Sequence, residues 1–388
     1  MAKCFAVLGS GMQGTAAAYD VIKFSSPGRL KLGDYQLSQA QKAEARLREL
    51  TGFSNLESCQ VDALNPASLA AFLQGVDVLL ACLPWWMYTE VAKVAIETGT
   101  SMVDLGGNTD TTQATLDLHE QAKAAGVTIV PDTGLAPGLV NNIGVALIDE
   151  FDEAESVNLY CGVLPMNPIP PLNYMMTFHV DGLVGEYDLS GIILRDGKIH
   201  YVKTLGELEE IQVEGVGQME AFVTSGGVST APFSLQGRVK NYEYKTVRYP
   251  GHCAIMQVFR DYGFWSTEPV TVGESAVVPR EFFCKVFGDS LGKIKDRDLC
   301  IVRGVGVGIK GGKRRRIQLD ILDHQDPATG FTSMERMTGF SMAIYAGEIA
   351  AGRCEAGCLR YELAVPGARM LDEIRKRGIE IKRSESEV

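Results

Sequence analysis

Short apolar runs alternate with amphipathic stretches along the first third of the chain. The apolar runs have the length of buried strands and occur at residues 5–8, 30–34, 59–62, 76–82, 101–104 and 127–130. The stretches between them have helical character and occur at residues 15–22, 37–50, 66–73, 88–98 and 112–125. This order predicts six parallel strands joined by crossover helices, a doubly wound sheet that binds its ligands at the carboxyl ends of the strands.

The pattern changes after residue 140. A helix is predicted from about residue 141 to 150, and alternation of apolar and polar residues then marks short strands at 156–160, 218–222, 242–246, 299–309 and 315–322. Joints rich in glycine and proline separate these strands, which predicts a largely antiparallel sheet. We therefore predict an α/β protein in two parts. A Rossmann domain covers residues 1–140 and is joined by C-terminal helices at about 333–388, and an α+β domain covers residues 141–332.

The first predicted strand runs directly into the pattern G-x-G-x-x-G at residues 9–14. In this setting Gly9 makes the tight turn, Gly11 admits a pyrophosphate, and Gly14 lets the helix pack close to the strand. Asp34 ends the second predicted strand, 20 positions after Gly14, where a carboxylate binds the ribose hydroxyls of NAD. An acid there repels a 2′-phosphate, so NAD is predicted in preference to NADP. The predicted contacts in the loop are Gly9, Ser10, Gly11, Met12, Gln13 and Gly14.

Other strand ends complete the predicted nucleotide site. Asp62 follows the third strand, where it either meets the adenine or caps the next helix. Asp104 ends the fifth strand beside the expected nicotinamide, where it either handles a substrate proton or caps the turn that follows it. Asp132, on the sixth strand, either shares the substrate ammonium or caps the helix that starts near Pro137. Further nucleotide contacts are predicted from residues that follow the fourth and fifth strands: Cys82, Leu83, Pro84 and Leu105.

The composition of the chain excludes several classes of partner. A net charge of -11 argues against nucleic acid or an anionic membrane surface as a partner. The sequence has no run of 18 apolar residues, so no membrane span is predicted. The nine cysteines form no regular framework, which is typical of reduced thiols, and we expect a cytoplasmic protein without a metal site.

Five motifs resemble those of the saccharopine dehydrogenase-like family. They are VLGSGMQG at 7–14, VDLGG at 103–107, PDTGLAPG at 131–138, TSGG at 224–227 and YKTVRYPGH at 244–252. The last two are not general features of Rossmann domains, and the resemblance covers nearly the whole chain. It implies an NAD-dependent enzyme that oxidatively deaminates the side-chain amine of L-lysine, with a second domain that contacts the amino acid and forms a homodimer.

The implied reaction, oxidative deamination of an amine, indicates which residues form the substrate site. A lysine ammonium has a pKa near 10.4, so freeing its lone pair at pH 7 costs roughly 4.6 kcal/mol and requires a base or desolvation. Asp104 and Asp132 are the predicted proton acceptors. His252 either activates the hydrolytic water or is a buried structural residue, and Arg248 either binds the α-carboxylate or forms a surface ion pair. The other predicted substrate contacts are Tyr174, Thr224, Ser225, Gly226 and Lys245. Lys245 alternatively pairs with Glu243.

Two other functions fit the same motifs. A saccharopine- or carboxynorspermidine-type reductase acts on a secondary amine, and it needs a second cation for a second substrate carboxylate. A regulatory protein that binds NAD without turnover would retain the Rossmann shell alone, because function resides in sites and not in folds. Deamination of L-lysine is the leading hypothesis.

Overall fold

The computed structural model describes residues 3–177 and 179–388, and two sheets organise them. The elements of the first part are β1 (Cys4–Leu8), α1 (Met12–Asp20), β2 (Arg29–Asp34), α2 (Leu37–Thr51), β3 (Leu56–Gln60), α3 (Pro66–Leu73), β4 (Val78–Ala81), α4 (Tyr88–Glu97), β5 (Ser101–Asp104), α5 (Thr109–Leu116), α6 (His119–Ala125), β6 (Thr128–Val130) and α7 (Val140–Ile148).

The second part carries the longer strands. Its elements are β7 (Glu153–Pro165), α8 (Val180–Asp188), β8 (Ser190–Arg195), β9 (Lys198–Lys203), β10 (Glu209–Val213), β11 (Gly217–Val223), α9 (Ala231–Ser234), β12 (Val239–Arg248), α10 (His252–Asp261), β13 (Val270–Val272), β14 (Ser275–Val277), α11 (Pro279–Leu291), β15 (Asp298–Lys310) and β16 (Lys313–His324). The C-terminal segment contains α12 (Ser333–Ala350), β17 (Gly357–Cys358), α13 (Tyr361–Ala364), α14 (Gly367–Lys376) and β18 (Lys382–Glu387).

The first sheet is parallel and has the order β17-β6-β5-β4-β1-β2-β3. The order reverses at β1, so the ends of β1 and β4 flank the crevice where ligands bind in a doubly wound sheet. The predicted Rossmann arrangement is confirmed, with β17 as a seventh strand that the sequence pattern did not indicate. The helix predicted at 112–125 is two helices, α5 and α6.

The second sheet is mixed. β7 lies at its centre, antiparallel to β15 and parallel to β12, and the other pairings are antiparallel. The prediction of a largely antiparallel sheet is therefore confirmed. β12 ends at Arg248, and β11 ends directly before the TSGG motif, so this sheet delivers both motifs of the second part to one region.

The C-terminal segment joins both sheets. α12 packs against α1, and β17 extends the first sheet next to β6. The C-terminal segment therefore returns to the Rossmann part of the chain. The prediction of helices to residue 388 is wrong at its end, because β18 pairs with β16 in the second sheet. Every residue of β18 is exposed and polar, so no apolar period marks it, and backbone pairing with β16 forms the strand.

No helix in the described ranges is both long enough and apolar enough to cross a membrane.

Candidate active site

The glycine loop between β1 and α1 forms an open cradle. Gly9 has φ +94°, and a Cβ there would lie 2.2 Å from the carbonyl oxygen of Cys82. A Cβ on Gly14 would lie 2.0 Å from the carbonyl oxygen of Gly9, whereas one on Gly11 would meet no heavy atom within 4 Å. The first and third glycines therefore permit close packing, and the second leaves space over the N-terminus of α1. These residues fit a dinucleotide phosphate.

Asp34 lies beside this cradle with its carboxylate held by backbone groups. Its Oδ2 accepts a hydrogen bond from the Ser10 N–H at 2.9 Å, and its Oδ1 accepts one from the Gln36 N–H at 3.0 Å. Met12 is exposed at the mouth of the loop, and the side-chain oxygen of Gln13 is buried without a hydrogen-bond partner in the described residues. The structure thus brings together the predicted loop residues and the predicted acid.

The remaining predicted nucleotide contacts occupy the neighbouring strand ends. Asp62 accepts a hydrogen bond from the Leu64 N–H at 3.0 Å, and Asn65 caps α3, so capping is not the role of Asp62. The thiol of Cys82 lies 3.6 Å from the sulfur of Met342. Three further predicted contacts, Leu83, Pro84 and Leu105, follow β4 and β5 directly.

Asp104 and Asp132 form a buried acid pair. Each is 1% exposed, and the Asp132 N–H donates to Asp104 Oδ1 at 3.0 Å. Gly106 donates to the same oxygen at 2.9 Å, while Thr112 donates to Asp132 Oδ2 at 2.9 Å. The other oxygens, Asp104 Oδ2 and Asp132 Oδ1, have no hydrogen-bond partner among the described residues. Each acid therefore combines a fixed oxygen with a free one.

Burial dominates the electrostatics of this pair. It raises the pKa of Asp104 to about 8, and the charge of Asp132 adds to the rise. Burial also raises the pKa of Asp132 to about 7, and the charge of Glu362 adds to the rise. The rise is opposed by the Ser229 hydroxyl, which lies near Asp132 without an aligned hydrogen bond, and by the bonded Thr112 hydroxyl. Two coupled acids with pKa values near neutrality exchange protons at physiological pH.

A second cluster surrounds Arg248 at the end of β12. Arg248 is 4% exposed, and its Nε donates to the hydroxyl of Tyr187 at 2.9 Å. The ring of Tyr174 lies under the guanidinium, with its centroid 5.1 Å from Cζ. Arg248 forms no ion pair within the described part of the chain, so the alternative of a surface ion pair does not describe it. Its remaining donors are available to an anionic group.

The surroundings of His252 do not suit a base that activates water. It is 1% exposed, with Nδ1 3.3 Å from the carbonyl oxygen of Leu172 and Nε2 3.1 Å from the hydroxyl of Tyr187. Since a carbonyl only accepts, Nδ1 carries the proton and Nε2 accepts from Tyr187. Burial and the Arg248 charge lower the pKa of His252 to about 3. The ring is neutral and held on both sides, which favours the structural alternative.

The TSGG loop contacts the surroundings of Arg248, and Ser229, two residues after the loop, lies beside Asp132. The Thr224 and Thr246 hydroxyls bond to each other at 2.8 Å, and the Ser225 hydroxyl donates to the carbonyl oxygen of Gly185 at 3.1 Å. These two hydroxyls are therefore engaged within the protein. Gly226 has φ +84° and open space at its Cβ position, so its backbone is the accessible part of the loop.

Lys245 and Arg248 are three positions apart on β12, so their side chains point to opposite faces of the sheet. Lys245 Nζ lies 2.9 Å from Glu209 Oε1 and 4.0 Å from Glu243 Oε1, which agrees with the alternative that Lys245 pairs with Glu243.

Several polar residues reach the site without a signal in the sequence. Glu362 is buried and accepts a hydrogen bond from Thr230 at 2.9 Å, and its charge acts on Asp132. Glu186 lies next to Tyr187, and its backbone oxygen accepts a hydrogen bond from the Ser225 N–H at 2.9 Å. These residues belong to segments with no recognised motif, and folding alone brings them beside the predicted ones.

The fold and this site define the class of the protein: a two-part protein whose Rossmann domain carries an NAD(P)-binding loop. The family model described as Saccharopine dehydrogenase NADP binding domain matches residues 5–130, and the model Saccharopine dehydrogenase C-terminal domain matches residues 134–379. The chain belongs to the saccharopine dehydrogenase family, so the resemblance of its motifs is confirmed at this level.

Named relatives share only part of their length with this chain. It is 24% identical to a saccharopine dehydrogenase (NADP+, L-glutamate-forming) from Pyricularia oryzae, over 73% of this chain and 63% of the relative. It is 27% identical to an alpha-aminoadipic semialdehyde synthase from Arabidopsis thaliana, over 56% of this chain and 21% of the relative. The chain thus spans less than two thirds of either protein.

Solved structures share the whole architecture. An apo saccharopine dehydrogenase (L-Glu forming) from Saccharomyces cerevisiae has a TM-score of 0.78 at 18% identity, with 99% of this chain and 100% of that chain covered. A homospermidine synthase from Legionella pneumophila in complex with NAD has a TM-score of 0.66 at 11% identity, with 99% and 91% covered. At these identities the likeness establishes the fold.

Proposed function

We propose that the protein catalyses NAD-dependent oxidative deamination of the side-chain amine of L-lysine, forming the 6-semialdehyde and ammonia. The observation that carries the proposal is the charge pattern of the buried site. The segment that begins with the TSGG loop connects two groups: Ser225 bonds beside Tyr187 and Arg248, a guanidinium without an acidic partner, and Ser229 lies beside Asp132 of the acid pair. A substrate with one carboxylate and one distal amine complements this pattern.

Buried cations elsewhere in the described residues already have partners. Lys31 donates to the carbonyl oxygens of Phe72 and Gln74, and Lys245 pairs with Glu209. Arg377 pairs with Asp20. Arg248 is therefore the buried cation that a substrate carboxylate can engage, which favours a substrate with a single carboxylate.

The acid pair suits the proton steps of this reaction. A carboxylate with a pKa near 8 is a stronger acceptor than an ordinary Asp, so it reduces the cost of deprotonating an ammonium with a pKa near 10.4. The free oxygens of Asp104 and Asp132 can hold the ammonium and take its proton. After hydride loss, water adds to the substrate iminium, and a proton returned from the pair lets ammonia leave.

The loop at residues 9–14 and Asp34 would hold the nucleotide. The bound nicotinamide would accept a hydride from the substrate carbon that carries the nitrogen. The fixed carboxylate of Asp34 supports NAD over NADP, because it accepts ribose hydroxyls and repels a phosphate. We expect Asp34→Ala to weaken NAD binding at least about tenfold while NADP binding changes less, since only NAD offers both hydroxyls. Calorimetric titration with each nucleotide measures this, and equal losses would contradict the assignment.

Activity measurements with defined substrates test the proposal. Purified protein is mixed with L-lysine and NAD+ or NADP+, absorbance at 340 nm is followed, and the products are identified by mass as aldehyde and ammonia. We expect turnover with L-lysine that rises toward alkaline pH as more free amine becomes available. The proposal fails if L-lysine gives no turnover with either nucleotide.

A second candidate follows from the names of the relatives, which favour oxidation of the secondary amine of saccharopine with NADP+. Saccharopine carries more than one carboxylate to be neutralised, and this candidate requires a further cation that joins Arg248 in the site. Release of L-glutamate from saccharopine, with kcat/KM above that for L-lysine, would establish this alternative.

A further inference from the structure

Glu186 faces the same region as Arg248 and has no role in the reaction described above. It lies in α8, directly before Tyr187, whose hydroxyl receives the Arg248 hydrogen bond. Burial raises the pKa of the Glu186 carboxyl to about 7, and the Arg248 guanidinium opposes that rise. The two charged groups are therefore close enough to act on each other.

Glu186 and Arg248 nevertheless form no ion pair with each other. Other acids of the same helix behave differently, since Asp181 and Asp188 lie 2.9 Å and 3.4 Å from Arg280. Neither the Glu186 carboxylate nor the Arg248 guanidinium has an ion-pair partner among the described residues. A ligand that carries both charges can supply a partner to each.

The guanidinium of Arg248 and the backbone that carries Glu186 are held in place before any ligand binds. The backbone of Gly185 and Glu186 is tied to Ser225, whose hydroxyl and N–H donate to their carbonyl oxygens at 3.1 Å and 2.9 Å. Arg248 is held by Tyr187 and by the carbonyl oxygen of Val247 at 2.9 Å. Because the guanidinium and the backbone of Gly185 and Glu186 are already ordered, ligand binding costs less conformational entropy here than at a mobile site.

We propose that Glu186 binds the α-ammonium group of the substrate while Arg248 binds its α-carboxylate, so that the pair selects α-amino acids. This inference rests on the proposed function for the identity of the substrate. An analogue without the α-ammonium leaves Glu186 unpaired, and a diamine without the carboxylate leaves Arg248 unpaired. The first omission leaves the half-buried Glu186 carboxylate without a partner, and the second leaves the buried Arg248 guanidinium without one; both losses are costly.

Substrate analogues and one isosteric variant test the proposal in the full-length enzyme. For Glu186→Gln we expect kcat/KM for L-lysine to fall about 30-fold, mainly through KM, because one charged contact is lost. For 6-aminohexanoate, which lacks the α-amine, we expect a change of less than about threefold. Asp188→Asn on the same helix is the matched control and should leave both values unchanged. Equal losses for the two substrates, or no loss for either, overturn the proposal.

Ligand binding separates this inference from the proposed function. L-norleucine has the amino-acid head group without a side-chain amine, and hexanoate has the carboxylate alone. We expect calorimetry to show that the native protein binds L-norleucine more tightly than hexanoate, and that Glu186→Gln removes this preference.

Preference for L-norleucine without turnover of L-lysine would refute the proposed function and uphold the role of Glu186. Native protein that binds the two ligands equally overturns the role of Glu186, and this comparison needs no variant to fold.

Discussion

Asp104 and Asp132 are carboxylates withdrawn from water, each with one oxygen fixed by protein donors and one free. The fixed oxygens set the geometry of the pair, and the free ones can exchange a proton with a ligand. The pKa values of about 8 and 7 follow from burial, with mutual repulsion adding to the rise for Asp104. Perturbed acids beside a nucleotide cradle are the residue pattern expected of a proton-transfer site.

Asp104→Asn tests the proton role directly. The amide oxygen can still accept the bonds from Gly106 and Asp132, so the fold is preserved while the acceptor is lost. We expect kcat for L-lysine to fall by about 100-fold or more, the usual scale of general-base loss. Initial rates across pH measure the effect, with Asp110→Asn on the exposed face of α5 as the control. Full activity in the Asn variant would exclude Asp104 as the acceptor.

The same variant should be more stable than the native protein at alkaline pH. The pKa of Asp104 is raised on folding from 3.8 to about 8, so the folded state binds the proton more tightly. The protonated carboxyl of Asp104 contributes its full stabilisation of the folded state below about pH 4, and this contribution is lost as the pH rises through about 8. We expect the Tm of Asp104→Asn to exceed that of the native protein by about 2 °C or more at pH 8.5, and by less at pH 4. Thermal unfolding at both pH values decides this, and a difference independent of pH would contradict it.

Helix α8 shows why some elements escaped the sequence pattern. It has nine residues and includes Gly182 and Gly185, which lower its helical propensity, although its buried apolar residues follow a helical spacing: Val180, Leu183, Val184 and Tyr187. Burial of the Tyr187 and Val184 side chains stabilises α8 and compensates for its low helical propensity, since both residues are completely buried. The glycine loop is the opposite case, because its backbone requirements are local and appear in the sequence as glycines.

Glycine substitutions in that loop should separate packing from binding. A Cβ on Gly14 meets the carbonyl oxygen of Gly9, so we expect Gly14→Ala to lower Tm by several degrees, roughly what 2 kcal/mol of strain causes. Gly11 has φ -73° and open space, so Gly11→Ala should leave Tm unchanged.

The same Gly11→Ala change should raise the Kd for nucleotide at least about tenfold, since its methyl group occupies the phosphate space. Paired thermal and titration measurements on the two variants test both statements. Equal affinity in Gly11→Ala would place the phosphate elsewhere.

At the scale of the whole molecule, the C-terminal segment closes the architecture. Arg377 Nε and Nη2 each donate to the Asp20 carboxylate at 2.7 Å, and Asp20 is completely buried. The ring of Phe24 lies 4.4 Å from the Arg377 guanidinium carbon. This contact joins the helix of the nucleotide loop to the end of α14, so the last part of the chain supports the first.

Arg377→Ala should therefore destabilise the entire protein. Removal of the guanidinium leaves the Asp20 charge buried and unpaired, which costs about 3–5 kcal/mol. The double variant Asp20→Asn with Arg377→Ala should recover part of the loss. Urea unfolding measures these values, with Arg375→Ala, an exposed residue of the same helix, as the control. A loss in Arg377→Ala no greater than in the control would show that the pair does not support the fold.

The sequence by itself determined the order of strands and helices in the first part, the glycine loop, Asp34, and the strand-end acids, because those depend on neighbouring residues and on a short period. It also identified Arg248 through its motif. Only the tertiary structure placed Glu186 and Glu362 beside these residues, turned Lys245 away and enclosed His252 between two partners. These features depend on burial and on contacts between segments far apart in the chain, which no local pattern encodes.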